Sequence, residues 1–120
     1  MKHEDLTHKI IGCAMKVHQK LGCGFQEVIY QRALAIELQI AQIDFEREKE
    51  VEIFYEDKKI GTRRVDFLID EKILVEIKAL SGLDDLHLAQ GKNYLEAFQI
   101  DVGLLLNFGA RSLQFKRLFL

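Results

Sequence analysis

The stretch that decides the fold is RRVDFLIDEKILVEIKAL, residues 63–80. It reads as two β-strands, RRVDFLID and ILVEIKAL, joined at Asp70, Glu71 and Lys72. Side chains two apart on a strand share a face. Glu76 and Lys78 therefore project together with Leu74, while Ile73, Val75, Ile77 and Ala79 take the other face. On the preceding strand Asp66 shares its face with Arg64 and Leu68, and Val65, Phe67 and Ile69 point the other way. If Asp70, Glu71 and Lys72 form a three-residue loop, Ile69 pairs with Ile73 and Asp66 falls opposite Glu76. Directly opposed side chains have Cβ atoms about 4.5–5.5 Å apart. Two carboxylates that close repel, and burial sharpens the repulsion; a divalent cation between them reverses its sign. The competing arrangement is a salt-bridge lattice of Arg64, Asp66, Glu76 and Lys78 on a solvated face, in which opposite charges meet only on the diagonals. A two-residue loop would send the acids to opposite faces and remove the case for a metal.

Outward from this pair, residues 5–21 place Leu6, Ile10, Ala14, Val17 and Leu21 at intervals of three or four, which predicts a helix. LGCGF at 21–25 interrupts it, since two glycines in three residues favour a turn. A second helix follows over about 26–41, with Tyr30, Leu34 and Leu38 on one stripe. From Phe45 the period becomes two: Val51, Ile53 and Tyr55 alternate with charged or bulky neighbours, and EDKK with Gly61 reads as a turn. After the central strands, DDLHLAQGKNYLEAFQ predicts a third helix with Asp84 or Asp85 as N-cap. VGLLLNF is an apolar run suited to a strand covered on both faces, and LQFKRLFL reads as a last strand at an edge. Helix, helix, three strands, helix, strand, strand is an α/β class: a mixed sheet flanked by helices.

At 120 residues the expectation is one domain, 1–120. The chain is 48% hydrophobic and 30% charged, which excludes a disordered chain. A net charge of −2 argues against a dedicated non-specific nucleic-acid binder, so any such role needs a local basic patch or bound cations. Cys13 and Cys23 make no disulfide framework, and with His18 they lack zinc-site spacing, so ordinary thiols in a reducing cytosol are expected. MKHEDLTHKI carries no apolar h-region, and no apolar run approaches the ~18 residues that span a membrane. The expected location is cytoplasmic, with no membrane partner.

Two more polar residues fall where apolar ones are expected. Glu27 lies on the stripe of Tyr30, Leu34 and Leu38, although a Glu at a helix start also complements the helix dipole. Gln90 sits between Leu86 and Tyr94 at i, i+4 spacing and so faces the sheet with them; a glutamine there can equally be a structural hydrogen-bonder. His18, His87 and Tyr94 carry weaker signals, and His3 and His8 are expected in solvent.

The spacing D-(x9)-E-x-K of Asp66, Glu76 and Lys78, followed by a glutamine-bearing helix, resembles the PD-(D/E)XK nuclease superfamily. GFQEVIY, with Gly24, Glu27 and Tyr30, resembles the signature of the GxxExxY protein family. The blocks VHQKLGCGFQEVIYQRAL, RRVDFLI, LVEIKAL, HLAQGKNYL and GLLLNFG extend the likeness over nearly the whole chain. The resemblance implies a restriction-endonuclease-like αβββαβ core and Mg²⁺- or Mn²⁺-dependent hydrolysis of phosphodiester bonds in DNA or RNA. It implies that Asp66 and Glu76 hold the metal, with the carbonyl of Ile77 as a further ligand. Lys78 would position the attacking water or stabilise developing negative charge. Glu27 would complete the metal shell, directly or through water, and Gln90 would orient the site from its helix. Val65 stands where the superfamily's name has proline. The alternative is a non-catalytic domain that keeps the fold and binds nucleic acid or protein. A homodimer through Leu118, Phe119 and Leu120 would enlarge a footprint otherwise small for a long duplex.

Overall fold

The computed structural model describes residues 2–120. Its elements are α1 Glu4–Leu21, α2 Glu27–Ile40, β1 Phe45–Tyr55, β2 Lys58–Ile69, β3 Ile73–Lys78, α3 Asp85–Phe98, β4 Val102–Asn107 and β5 Gln114–Phe119. The strands form one sheet in the order β1-β2-β3-β4-β5. All neighbours are antiparallel except β3 and β4, which run parallel across the α3 crossover. From α2 to β4 the element order is αβββαβ, as the sequence predicts.

Helices cover the sheet on both faces. On one, the buried stripe of Tyr30, Leu34 and Leu38 and the inward residues of α1 pack on Phe67, Ile69, Ile73, Val75 and Ile77. On the other, Leu95 of α3 packs with Val65, Leu68, Leu74, Leu105 and Leu118. Full burial of side chains this size contributes about 1.5–3 kcal/mol each. β4 is buried at every position, which is why its sequence does not alternate. Among the described residues no helix is long and apolar enough to cross a membrane.

Tyr30 fixes where α2 begins. Its hydroxyl donates to the Gly22 carbonyl at 2.6 Å and accepts from the Phe25 N–H at 3.1 Å. Its ring stacks on Phe108 with centroids 4.7 Å apart. Gly22 has φ of 72°, the left-handed region where glycine avoids the cost of a Cβ. The spacing of GFQEVIY thus has a local cause: the tyrosine ties down the turn that delivers Glu27 to the start of the helix. Tyr30→Phe keeps the stacking but strips both hydrogen bonds. It is expected to cost about 1–3 kcal/mol, read as a lower urea midpoint with an unchanged slope.

Around the central strands, Ile69 pairs with Ile73, so the three-residue loop is the one formed. Asp70 and Glu71 take φ of 52° and 58°, and Lys72 N–H donates to the Ile69 carbonyl at 2.9 Å. Three expectations need correction. The β1–β2 turn is Glu56–Asp57 alone, both at left-handed φ as a two-residue hairpin requires, and Lys58, Lys59 and Gly61 belong to β2. This distal hairpin is largely solvated, so burial leaves no clear alternation in its sequence. Val65 packs on the α3 face with Leu68, not with Phe67 and Ile69. Residues three apart cannot share a face of a regular strand, so β2 changes its alternation near Asp66, opposite Glu48, which takes φ of 53°. On α3, Leu86 and Gln90 are exposed, while Gly91 and Leu95 face inward. A Cβ on Gly91 would lie 2.3 Å from Leu118 Cδ1, so the helix turns its glycine side to β5.

Candidate active site

β2 and β3 pair only from Ile69↔Ile73 to Phe67↔Val75. Beyond that, β3 stays with β4 as far as Lys78↔Asn107, while β2 continues with β1 alone. The sheet therefore opens into a notch between β2 and β3, where main-chain groups lose their ladder partners and need others. Side-chain carboxylates supply them. Ile77 N–H donates to Asp66 Oδ2 at 2.7 Å, and Asp66 N–H donates to Glu76 Oε1 at 3.1 Å. From α2, the buried Gln31 donates through Nε2 to Asp66 Oδ1 at 2.7 Å. The two acids thus converge on one notch and do not diverge across the sheet. The lattice alternative does not form: Arg64 reaches back to Glu50 at 3.1 Å and Glu48 at 3.9 Å on β1.

Burial, then the neighbouring Asp66 charge, pushes the Glu76 carboxyl up to about 8, against the opposing pull of the Asp66 N–H and Lys78. Burial also raises Asp66, opposed by its bonds from Ile77 and Gln31 and by Lys78. Glu27, exposed at the first position of α2, is raised by desolvation and by Asp66 and lowered by Lys78. Three carboxyls thus face the field of one ammonium, and the site is short of positive charge. Lys78 itself leaves a well-braced strand end. Phe108 N–H donates to its carbonyl at 2.8 Å, and the buried Asn107 bonds both the N–H and the carbonyl of Leu80 at 2.9 and 3.0 Å. Gly109 makes this possible, since a Cβ there would lie 2.3 Å from the Leu80 nitrogen.

A family profile for the PD-(D/E)XK nuclease superfamily matches residues 4–118. The chain belongs to this superfamily. The crystal structure of SSO0001 superposes on the chain with a TM-score of 0.61 at 24% identity, over 76% of this chain and 48% of that one. The chain thus spans about half the length of that protein, and the likeness shows the shared fold alone. No curated protein matches.

PD-(D/E)XK nucleases act on nucleic acids and generally use divalent metal ions. The residues in the notch fit such an ion. Asp66, Glu76 and Glu27 offer oxygen donors, the choice of hard cations, and the raised carboxyls mark a place where added positive charge is favourable. Among the described residues no three His, Cys, Asp or Glu side chains are gathered as a ready-made cage. Ile77 buries its side chain in the core and presents only main chain at the notch.

Gln90 lies outside this hydrogen-bonded cluster and lines a cleft between α3 and the distal hairpin. Gln31 is the residue of this hydrogen-bonded cluster that sequence reasoning passed over. Its signal was present: it lies four residues after Glu27 and three before Leu34, a polar residue on a buried helix face. His18 and His87 make structural contacts. His18 Nε2 bonds the Ala110 carbonyl at 2.9 Å. Asp84 caps α3 by accepting from the His87 N–H at 3.2 Å, while His87 Nδ1 accepts from the Asp84 N–H at 3.2 Å.

Proposed function

We propose that the chain is a metal-dependent nuclease hydrolysing phosphodiester bonds of DNA or RNA through Asp66, Glu76 and Lys78. The convergence of Asp66 and Glu76 in the β2–β3 notch carries this reading. Asp66 and Glu76 would hold Mg²⁺ or Mn²⁺, with Glu27 and the Ile77 carbonyl as further ligands. A bound ion of this kind acidifies its water and neutralises phosphate oxygens. The chain's own residues do the rest. Gln31 and the Ile77 N–H fix the Asp66 carboxylate before substrate arrives. Glu76, whose carboxyl burial raises, would hold such an ion in its deprotonated form. Lys78 brings an ammonium to orient the attacking water or to meet charge that develops on the phosphate. Gln90 would orient the site from α3. The Gly24, Glu27 and Tyr30 spacing supports a narrower placing in the GxxExxY family. The free thiols of Cys13 and Cys23 suit a reducing cytoplasm. Leu118 is buried in the α3-side core, which leaves the exposed Phe119 and Leu120 for the homodimer contact to be tested.

The experiment is a cleavage screen with Mn²⁺ over single- and double-stranded DNA and RNA. Cleavage that stops with chelator is the expected result. Lys78→Ala should lower the rate by about 10²–10³-fold, the scale seen for one electrostatic donor, with cation binding intact. No cleavage of any substrate would overturn the enzymatic reading. It would favour a non-catalytic binding domain, which the net charge of −2 also suits.

A further inference from the structure

Gln31 stands on the buried face of α2 with Tyr30, Leu34, Ala35 and Leu38, and is 5% exposed. Packing alone favours an apolar side chain there. A buried amide left without partners costs about 1–3 kcal/mol, and an apolar group of the same shape avoids that cost. What an apolar residue cannot supply is a donor. Gln31 Nε2 bonds Asp66 Oδ1 at 2.7 Å, reaching from α2 across to β2.

The other carboxylate oxygen is held from a different element. Ile77 N–H, on β3, donates to Asp66 Oδ2 at 2.7 Å. With one donor on each oxygen, the carboxylate cannot turn without breaking a bond. An ionised carboxylate accepts at about four positions, so two remain for a cation. Among the described residues Glu76 is held less firmly, by the one bond from Asp66 N–H at 3.1 Å. Glu27 is exposed and lies four residues before Gln31 on the same helix. Residues so spaced are neighbours on one side of a helix, about a turn apart. The bond that ties Gln31 to Asp66 therefore also pins the turn that carries Glu27, which lies within the fields of Lys78 and Asp66.

We infer that Gln31 is a positioning residue that sets the affinity of the notch for a divalent cation, by locking the Asp66 carboxylate directly and by fixing, one turn back, the approach of Glu27. It acts through these ligands and is not one of them. The inference rests on the cation site of the proposed function and names a residue outside the ligand set that governs its strength. Groups that hydrogen-bond a metal's ligands in this way typically change affinity by about 10–100-fold when replaced.

The test is calorimetric titration of Mn²⁺ into the wild type, Gln31→Met and Gln31→Asn, beside thermal melts of the metal-free proteins. Methionine keeps the length and apolar burial of the side chain and removes the donor. Asparagine keeps an amide but draws it back by one methylene. Each variant should bind Mn²⁺ about 10–100-fold more weakly while still folded at the titration temperature. Should Gln31→Met unfold, Gln31→Asn carries the test. A residue that serves the fold alone would lower the melting temperature and leave the Mn²⁺ affinity of the folded protein at the wild-type value. That result overturns the inference, as does failure of both variants to fold. Wild-type affinity in the variants sinks this inference and leaves the nuclease reading. Weakened binding in the variants, with no cleavage by the wild type, does the reverse. A wild type that binds no Mn²⁺ removes the cation site and both readings with it.

Discussion

Asp66→Asn is expected to leave a folded protein whose metal-dependent cleavage has fallen by about 10³-fold or more, roughly 4 kcal/mol of transition-state stabilisation. Folding survives because asparagine is nearly isosteric. Its Oδ1 still accepts one of the two hydrogen bonds that Asp66 takes from Gln31 and Ile77. Losing the other costs about 1 kcal/mol, and removing a negative charge beside Glu76 offsets part of that. Activity does not survive, because the notch loses one of its two close carboxylates. Asp66→Ala differs in kind. It leaves the Gln31 amide and the Ile77 N–H without an acceptor in a partly buried place, at about 1–3 kcal/mol for each group. Cleavage assays in Mn²⁺ beside thermal melts separate these outcomes. An Asp66→Asn enzyme cutting at the wild-type rate would remove Asp66 from the chemistry.

The second large effect is a dependence of stability on pH that a cation abolishes. The Glu76 carboxyl stands at about 8 in the fold against an ordinary 4.5. Between those values the folded chain holds a proton that the unfolded chain has released. Stability slopes with the difference in bound protons, unfolded minus folded, which here is negative. The metal-free protein should therefore be most stable toward pH 4.5 as far as this group is concerned. It should lose on the order of 5 kcal/mol as pH rises from about 4.5 through 8. Asp66 and Glu27, both also raised, push the same way. Saturating Mn²⁺ should lift the melting temperature most at the alkaline end and flatten the slope, because the bound ion stabilises only the folded state. Glu76→Gln should flatten it without metal. Thermal melts from pH 5 to 9, with and without Mn²⁺, check both; a metal-free Tm that climbs across this window contradicts the pairing.

The parts of this fold that burial dictates were the legible ones. Ile69 and Ile73 had to meet for Phe67 and Val75 to share the core face, and that register, continued one step past the last paired residues, brings Asp66 beside Glu76. β4 announced itself by having no polar position before Asn107. What escaped lay where burial gives no guidance. The distal hairpin is exposed, so Lys58, Lys59 and Gly61 looked like turn although they are strand. The inward face of α3 is set by the close approach of Gly91 to Leu118, a contact that periodicity in LHLAQGKNY does not specify. The change of alternation near Asp66 depends on the backbone of Glu48, on another strand. Gln31 was missed for a related reason. A glutamine on an apolar stripe gains meaning only once the helix is laid against a particular carboxylate.

The most direct test is calorimetric titration of Mn²⁺ at pH 7 in two buffers that differ in ionisation enthalpy, which counts protons released on binding. The expected result is one ion per chain with up to one proton expelled, supplied by Glu76, and no such proton from Glu76→Gln. An absence of binding, or equal proton release from the wild type and Glu76→Gln, would contradict a cation site built on Asp66 and Glu76.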